Sequence, residues 1–265
     1  MKKAMLAFSL MLVLAIPGSL LGQGSEPPSD IVVVTTIRVL PKDAARFGEA
    51  VGKIVQAAKE ANLGAEFGWS VWTDQFTYDI VGTEKNMAAL DGSDGRWMEQ
   101  FEGTPGRATL EAAFEALNEI PSENLGSEIV QVVPGWSYKL DEISPGPGFA
   151  EVCEYAIAAG MEEKFDAVYK NYIAISKRLD YPYPHIGHRF RYGSPARHVG
   201  VTIYDTKEHF FGKNDIERLV EQKGETEAWG KLIEDFLPTV TGVECKHTVY
   251  VPEMSYESAT ETSSN

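Results

Sequence analysis

The chain reads as an α+β protein made of two β-α-β-β-α-β units. Three observations carry that reading. Short patterns recur at a shift of 118 or 119 positions: "RFGEAV" (46–51) is answered by "KFDAVY" (164–169), and "FGWSVWT" (67–73) by "IGHRFRY" (186–192). Extended β-branched runs and helical apolar stripes follow one another in the same order in both halves. Between the halves, "LDEISPGPG" (140–148) has the Pro and Gly content of a linker.

The first half opens on "IVVVTTIRVL" (31–40), β-branched and extended. A helix follows, with Phe47, Val51, Ile54, Val55 and Ala58 on one stripe. Two strands come next, 67–73 and 77–83, turning through "TDQF". A second helix carries Leu110, Ala113, Phe114 and Leu117, and "SEIVQVV" closes the unit as a strand. Trp97, in "DGRWMEQF", reads as a packing anchor ahead of that helix.

In the second half "FAEVCEYAIA" (149–158) is the first strand, and Phe165, Val168, Tyr172, Ile175 and Leu179 mark the helix after it. Strands 186–192 and 198–204 turn through "GSPA". Trp229, Leu232, Ile233 and Phe236 lie on the closing helix, and "ECKHTVYV" is the last strand.

The units span 30–139 and 149–252, and the Ser/Thr-rich tail 253–265 has the composition of disorder. Each unit has the ferredoxin-like order: an antiparallel sheet with both helices on one face. The other face needs cover, which two units in one chain provide by packing sheet to sheet as an intramolecular α/β barrel.

Ahead of the units, "MKKAMLAFSLMLVLAIPGSLLGQG" (1–24) has two lysines, an apolar run and small residues, the layout of a secretory signal peptide. The run falls short of the ~20 residues that cross a bilayer, so no stable membrane span remains after cleavage. The sequence therefore predicts an exported, periplasmic or extracellular protein.

A formal charge of −15 argues against sequence-independent binding of nucleic acid, whose phosphates need clustered Lys and Arg. There is no phosphate-binding glycine loop, no nucleophile elbow and no His-Glu-x-x-His.

Three of the five histidines fall in "HIGHRFRYGSPARHVGV" (185–201). A turn centred on Ser194 sets Phe190 opposite His198. Period-2 alternation then puts His188, Phe190, Tyr192, His198 and Thr202 on one face, toward the space between the sheets. Arg189, Arg191 and Arg197 share the other face with Val199, Val201 and Ile203.

His188 and His198 are thus the candidate catalytic pair, a neutral imidazole being able to serve as general base. A hydrogen-bonded pair lining a packed interior is the alternative. Phe190, Tyr192 and Thr202 would line a ligand, and so would Trp69, which occupies the repeat position of His188. His185 and His188, three apart on a strand, point to opposite faces, and no metal site is expected. Asp79 and Glu154, within strands, could pair with an arginine or orient a histidine. Cys153 and Cys245 fall on the first and last strands of the second unit, neighbours in such a sheet, so either a disulfide or two free thiols follows.

With "FGWSVW" and "IGHRFR" set in this element order, residues 30–252 resemble the dimeric α/β-barrel superfamily, in particular its antibiotic-biosynthesis-monooxygenase-like and NIPSNAP-like members, here as an internal tandem. That superfamily includes cofactor-free oxygenases and haem-handling proteins.

The resemblance leaves three readings. One is an exported barrel protein that binds a small apolar or aromatic molecule between its sheets. Another is a cofactor-free monooxygenase-like enzyme, or a haem-using relative, in which His188 or His198 takes a proton while Trp69 or Tyr192 holds the ring. The third is a non-catalytic module that self-associates. No cofactor is expected, with haem as the alternative.

Overall fold

The computed structural model describes residues 31–64, 67–84, 86–90, 93–143, 148–191, 196–212 and 216–257. The expected signal segment, residues 144–147 of the Pro/Gly linker, Tyr192 with the expected turn at Ser194, and residues 258–265 lie outside these. Strands are β1 (Ile31–Val39), β2 (Ser70–Asp74), β3 (Thr77–Glu84), β4 (Ser122–Val132), β5 (Phe149–Ile157), β6 (His185–Phe190), β7 (Arg197–Tyr204) and β8 (Val240–Tyr250). Helices are α1 (Ala44–Ala61), α2 (Ser93–Glu99), α3 (Gly106–Asn118), α4 (Glu162–Leu179), α5 (Lys207–Gly212), α6 (Ile216–Lys223) and α7 (Thr226–Phe236). The protein is α+β, and all its strand pairs of determined register are antiparallel. Among the described residues no helix is long and apolar enough to cross a membrane.

Two compact units divide the chain at other points than the expected 139 and 149. The first comprises residues 31–129 and 249–257, the second 130–248. In the first, β1 pairs with β3 and β3 with β2, while Val249 and Tyr250 add to the far edge of β2. β4 lies beside β1, where the Thr35 and Ser127 hydroxyls meet at 2.6 Å. In the second, the order is β8, β5, β7, β6 and then Val130–Val132. The last residues of β4 thus pair with β6, and the last of β8 with β2.

In the first unit α1 and α3 bury Phe47, Val51, Ile54, Leu110, Ala113 and Leu117, their helical stripes, over Ile37, Val71 and Ile80 of the sheet. Gly106 lets α3 approach α1: an added Cβ would collide with the Ala57 carbonyl. Trp97, on α2, is fully buried against Phe101 and Phe114. In the second unit Val168, Ile175 and Leu179 of α4 pack with Val220 of α6 and Leu232 of α7.

Residues 253–257, expected to begin a disordered tail, are ordered within the first unit. The Trp69 indole donates to the Met254 carbonyl at 2.8 Å, and Val71 N–H donates to the Ser255 hydroxyl at 2.8 Å. Tyr256 stacks on Trp69 at 5.2 Å and donates its hydroxyl to the Leu63 carbonyl at 2.6 Å. Burial of these groups outweighs the polar composition on which disorder was expected. Tyr256→Phe removes only the last bond and should cost about 1–2 kcal/mol, read as a lowered urea midpoint. An unchanged midpoint would show that the Leu63 carbonyl finds another donor.

Candidate functional site

The site takes shape on the face of β6 and β7 that lies under α4. Register pairs His185 with Thr202, Gly187 with Gly200, and Arg189 with His198. Directly opposed residues share a face, so His185, Gly187, Arg189, His198, Gly200 and Thr202 point one way. His188, Phe190, Val199 and Val201 point the other. The expected faces are therefore corrected: His198 is opposite Arg189, not Phe190, and this slip of one residue separates His198 from His188.

The glycines supply the reason. A Cβ on Gly187 would meet the backbone of Trp136, and one on Gly200 would meet the Tyr169 hydroxyl. Only with both glycines on the helix side can Trp136 and the aromatic stripe of α4 settle onto this sheet.

The histidines on that face are differently employed. His185 is fully satisfied: hydrogen bonds join its Nε2 to the Tyr169 hydroxyl at 2.7 Å and its Nδ1 to the Thr202 hydroxyl at 2.8 Å. Burial, reinforced by the neighbouring His188, lowers its pKa to about 3. His198 stacks on Phe165 at 5.0 Å and meets the edge of Trp136 at 4.7 Å. Its Nδ1 is buried without a hydrogen-bond partner among the described residues. Burial first, and the Arg189 guanidinium second, lower its pKa to about 4, against the pull of Asp166 and Glu162. His198 is a neutral base at physiological pH.

An open cleft of about 620 Å³ adjoins it, lined by Trp136, Glu162, Glu163, Asp166, Arg189 and His198. Trp136 is held by its indole N–H, which donates to Asp166 Oδ1 at 2.8 Å, while the Arg189 guanidinium lies 5.2 Å from its ring centroid. Burial pushes the Asp166 carboxyl up, but hydrogen bonds from Lys170 and Trp136 outweigh it and hold the group below the usual carboxylate range. The cleft thus combines a fixed indole, a neutral imidazole, a cation and three carboxylates.

The remaining expected site residues lie elsewhere. His188, its Nδ1 likewise buried and unpartnered, is on the opposite sheet face with Phe190, and burial lowers its pKa to about 4. Phe190 lies beneath the Arg197 guanidinium, 4.4 Å from the ring centroid, and Arg197 forms a two-point ion pair with Glu154. Asp79 accepts from the Thr36 hydroxyl at 2.7 Å. Thr202 serves His185. Trp69 belongs to the core of the first unit, its indole and ring both engaged by the C-terminal segment. Cys153 and Cys245 are joined in a disulfide.

Trp136 and Asp166 were not singled out from sequence, though a signal for Trp136 exists. "VPGWSY" (133–138) is answered by "VPEMSY" (251–256). In each, a serine hydroxyl accepts a strand N–H, from Gly187 to Ser137 and from Val71 to Ser255, and the tyrosine bridges the adjoining strand.

Haem finds a poor fit in these side chains. An axial histidine needs a free ring nitrogen toward an apolar pocket. His185 has neither nitrogen free, and around His198 the cleft carries three carboxylates, which would repel the haem propionates.

No protein-family model matches the chain, and no curated protein matches it at a significant level. Solved structures do. A proposed monooxygenase from Lactobacillus acidophilus aligns with TM-score 0.52 and 11% identity, over 87% of this chain and 97% of the other. A second proposed monooxygenase, from Fusobacterium nucleatum, aligns with TM-score 0.52 and 12% identity, over 85% and 93%. At these identities the likeness is one of fold.

Proposed function

We propose that this is an exported protein that binds a small aromatic molecule bearing a hydroxyl group, in the cleft of its second unit. The ring would occupy the cleft beside Trp136 and Arg189, with its hydroxyl toward the His198 imidazole. The observation that carries this reading is the unpartnered, buried Nδ1 of a neutral histidine on the wall of an open cleft. A buried polar atom left unpaired costs about 1–3 kcal/mol, which a hydrogen bond to the ligand would recover once the imidazole turns that nitrogen toward the cleft. Export rests on the N-terminal sequence. That the two units are duplicated ferredoxin-like repeats rests on the paired sequence patterns.

A second reading, monooxygenase-like chemistry without a cofactor, rests on His198 being neutral and so able to accept a proton, although its lowered pKa makes it a weak base toward a phenol. It would take the phenolic proton, leaving an electron-rich phenolate for reaction with dioxygen.

The test is calorimetric titration with 1-naphthol and with naphthalene. The naphthol should bind about tenfold more tightly, and His198→Phe should erase that difference. Equal affinities in the unsubstituted protein, or an undiminished difference in the variant, would remove His198 from the site. Dioxygen uptake with the bound naphthol, lost in His198→Phe, separates the enzyme from the binding protein.

A further inference from the structure

The disulfide of the second unit sits among other metal-ligating side chains. Glu151 and Cys153 are two apart on β5 and so share a face, and Cys245 is on the neighbouring strand β8. One carboxylate oxygen of Glu151 and both sulfurs lie within 4.8 Å of one another. His247 Nε2, two residues beyond Cys245, is 3.3 Å from Glu151 Oε1. Two sulfurs, a carboxylate and a histidine bound to that carboxylate are the parts of a zinc site with its outer support.

We propose that the reduced protein binds Zn²⁺ through Cys153, Cys245 and Glu151, and that disulfide formation abolishes the site. A dithiol reductant supplies two electrons and two protons, breaking the S–S bond to give two thiols while the reductant becomes a disulfide. Zn²⁺ then takes both sulfurs as thiolates and releases their two protons. The sulfurs, bonded to each other as a disulfide, must separate to about 3.8 Å around a tetrahedral ion with Zn–S bonds of ~2.3 Å. Both lie on adjacent strands and Cys245 is exposed, so a side-chain rotation and solvent access suffice. Water fills the fourth position. His247 is a positioning residue, its ring fixing the Glu151 carboxylate.

The site is separate from the cleft and independent of the function proposed there. Its chemistry selects a thiophilic ion: Mg²⁺ and Ca²⁺ prefer all-oxygen shells and should not compete.

The test uses the protein reduced with a phosphine, with zinc measured by equilibrium dialysis and Co²⁺ as the spectroscopic probe. Reduced protein should hold one zinc per chain and melt at a higher temperature with zinc than without. Co²⁺ should give the thiolate charge-transfer and tetrahedral ligand-field bands. Oxidised protein and reduced Cys245→Ser should show neither. His247→Ala should weaken zinc by about 10–100-fold while keeping the cobalt bands, since it removes outer support and no ligand. No zinc-dependent rise in melting temperature for the reduced chain, or unchanged binding in Cys245→Ser, overturns the proposal.

Discussion

Gly187→Ala should lose more than about 3 kcal/mol of stability, at or beyond the upper end of the usual cost of overpacking. The added methyl would lie 2.7 Å from the Trp136 carbonyl oxygen and 3.2 Å from its carbon, well inside contact distance. Neither side can give way easily. Gly187 donates its N–H to Ser137 at 3.1 Å and accepts from Val133 N–H at 2.8 Å, while Trp136 N–H is bound to the Val133 carbonyl at 2.9 Å. Moving the turn breaks these bonds and withdraws Trp136 from His198.

Gly200→Ala meets the end of a side chain instead, the Tyr169 hydroxyl, and should cost less. That hydroxyl is tied to His185, so the cost is the lost bond rather than a backbone shift. Tyr169→Phe should therefore partly rescue Gly200→Ala and leave Gly187→Ala unrescued. Urea midpoints of the three single and two double variants form the two cycles. A rescue of equal size at both glycines would show that the Trp136 turn is not the rigid element.

These glycines also explain how much of the site was legible beforehand. Helical stripes such as Phe47–Val51–Ile54 or Phe165–Val168–Leu179 were readable because their period is fixed by the helix and their apolar side is unmistakable. The β-α-β-β-α-β order was readable for the same reason. The hairpin's faces were not, because an apolar criterion gives Val199 and Val201 to the helix side, whereas that side receives Tyr169 and Phe165 from α4 and Trp136 from the turn Pro134–Trp136. Polar and aromatic partners there select His185, His198 and Thr202 instead.

Gly187 and Gly200, the third and sixteenth letters of the same stretch as the histidines, would have exposed the register if read as close-approach positions. Exposed polar runs such as "SENLG" hid the first half of β4, which begins at Ser122 rather than in "SEIVQVV". The ordering of Tyr256 was hidden for a related reason: its partner Trp69 lies far away in sequence, and only the recurrence of "VPxxSY" links them.

Stability should fall steeply as the pH drops from about 6.5 toward about 4.5, because three histidines are buried in neutral form. Burial is the first cause for each: it lowers His185 to about 3 and His188 and His198 to about 4, from an ordinary 6.5. Above pH 6.5 neither the folded nor the unfolded chain protonates them, and their contribution is fully present. Below it the unfolded chain takes up protons that the folded chain refuses until the pH reaches the folded values. Each histidine therefore removes up to about 1.4 kcal/mol per pH unit across that window, and three together about 4.

A domain's net stability is only about 5–15 kcal/mol, so two pH units are enough to bring unfolding within reach. Urea midpoints measured from about pH 7.5 down to about pH 4.5 give the slope. His198→Asn should lower it by one histidine's share, and so should His188→Asn, although the two side chains lie on opposite faces of the sheet. Their effects on the slope should add, because protons bound to the unfolded chain are counted whatever the folded surroundings. A midpoint flat across this range would mean that the histidines protonate in the folded state, and His198 would then be no neutral base for the cleft it lines.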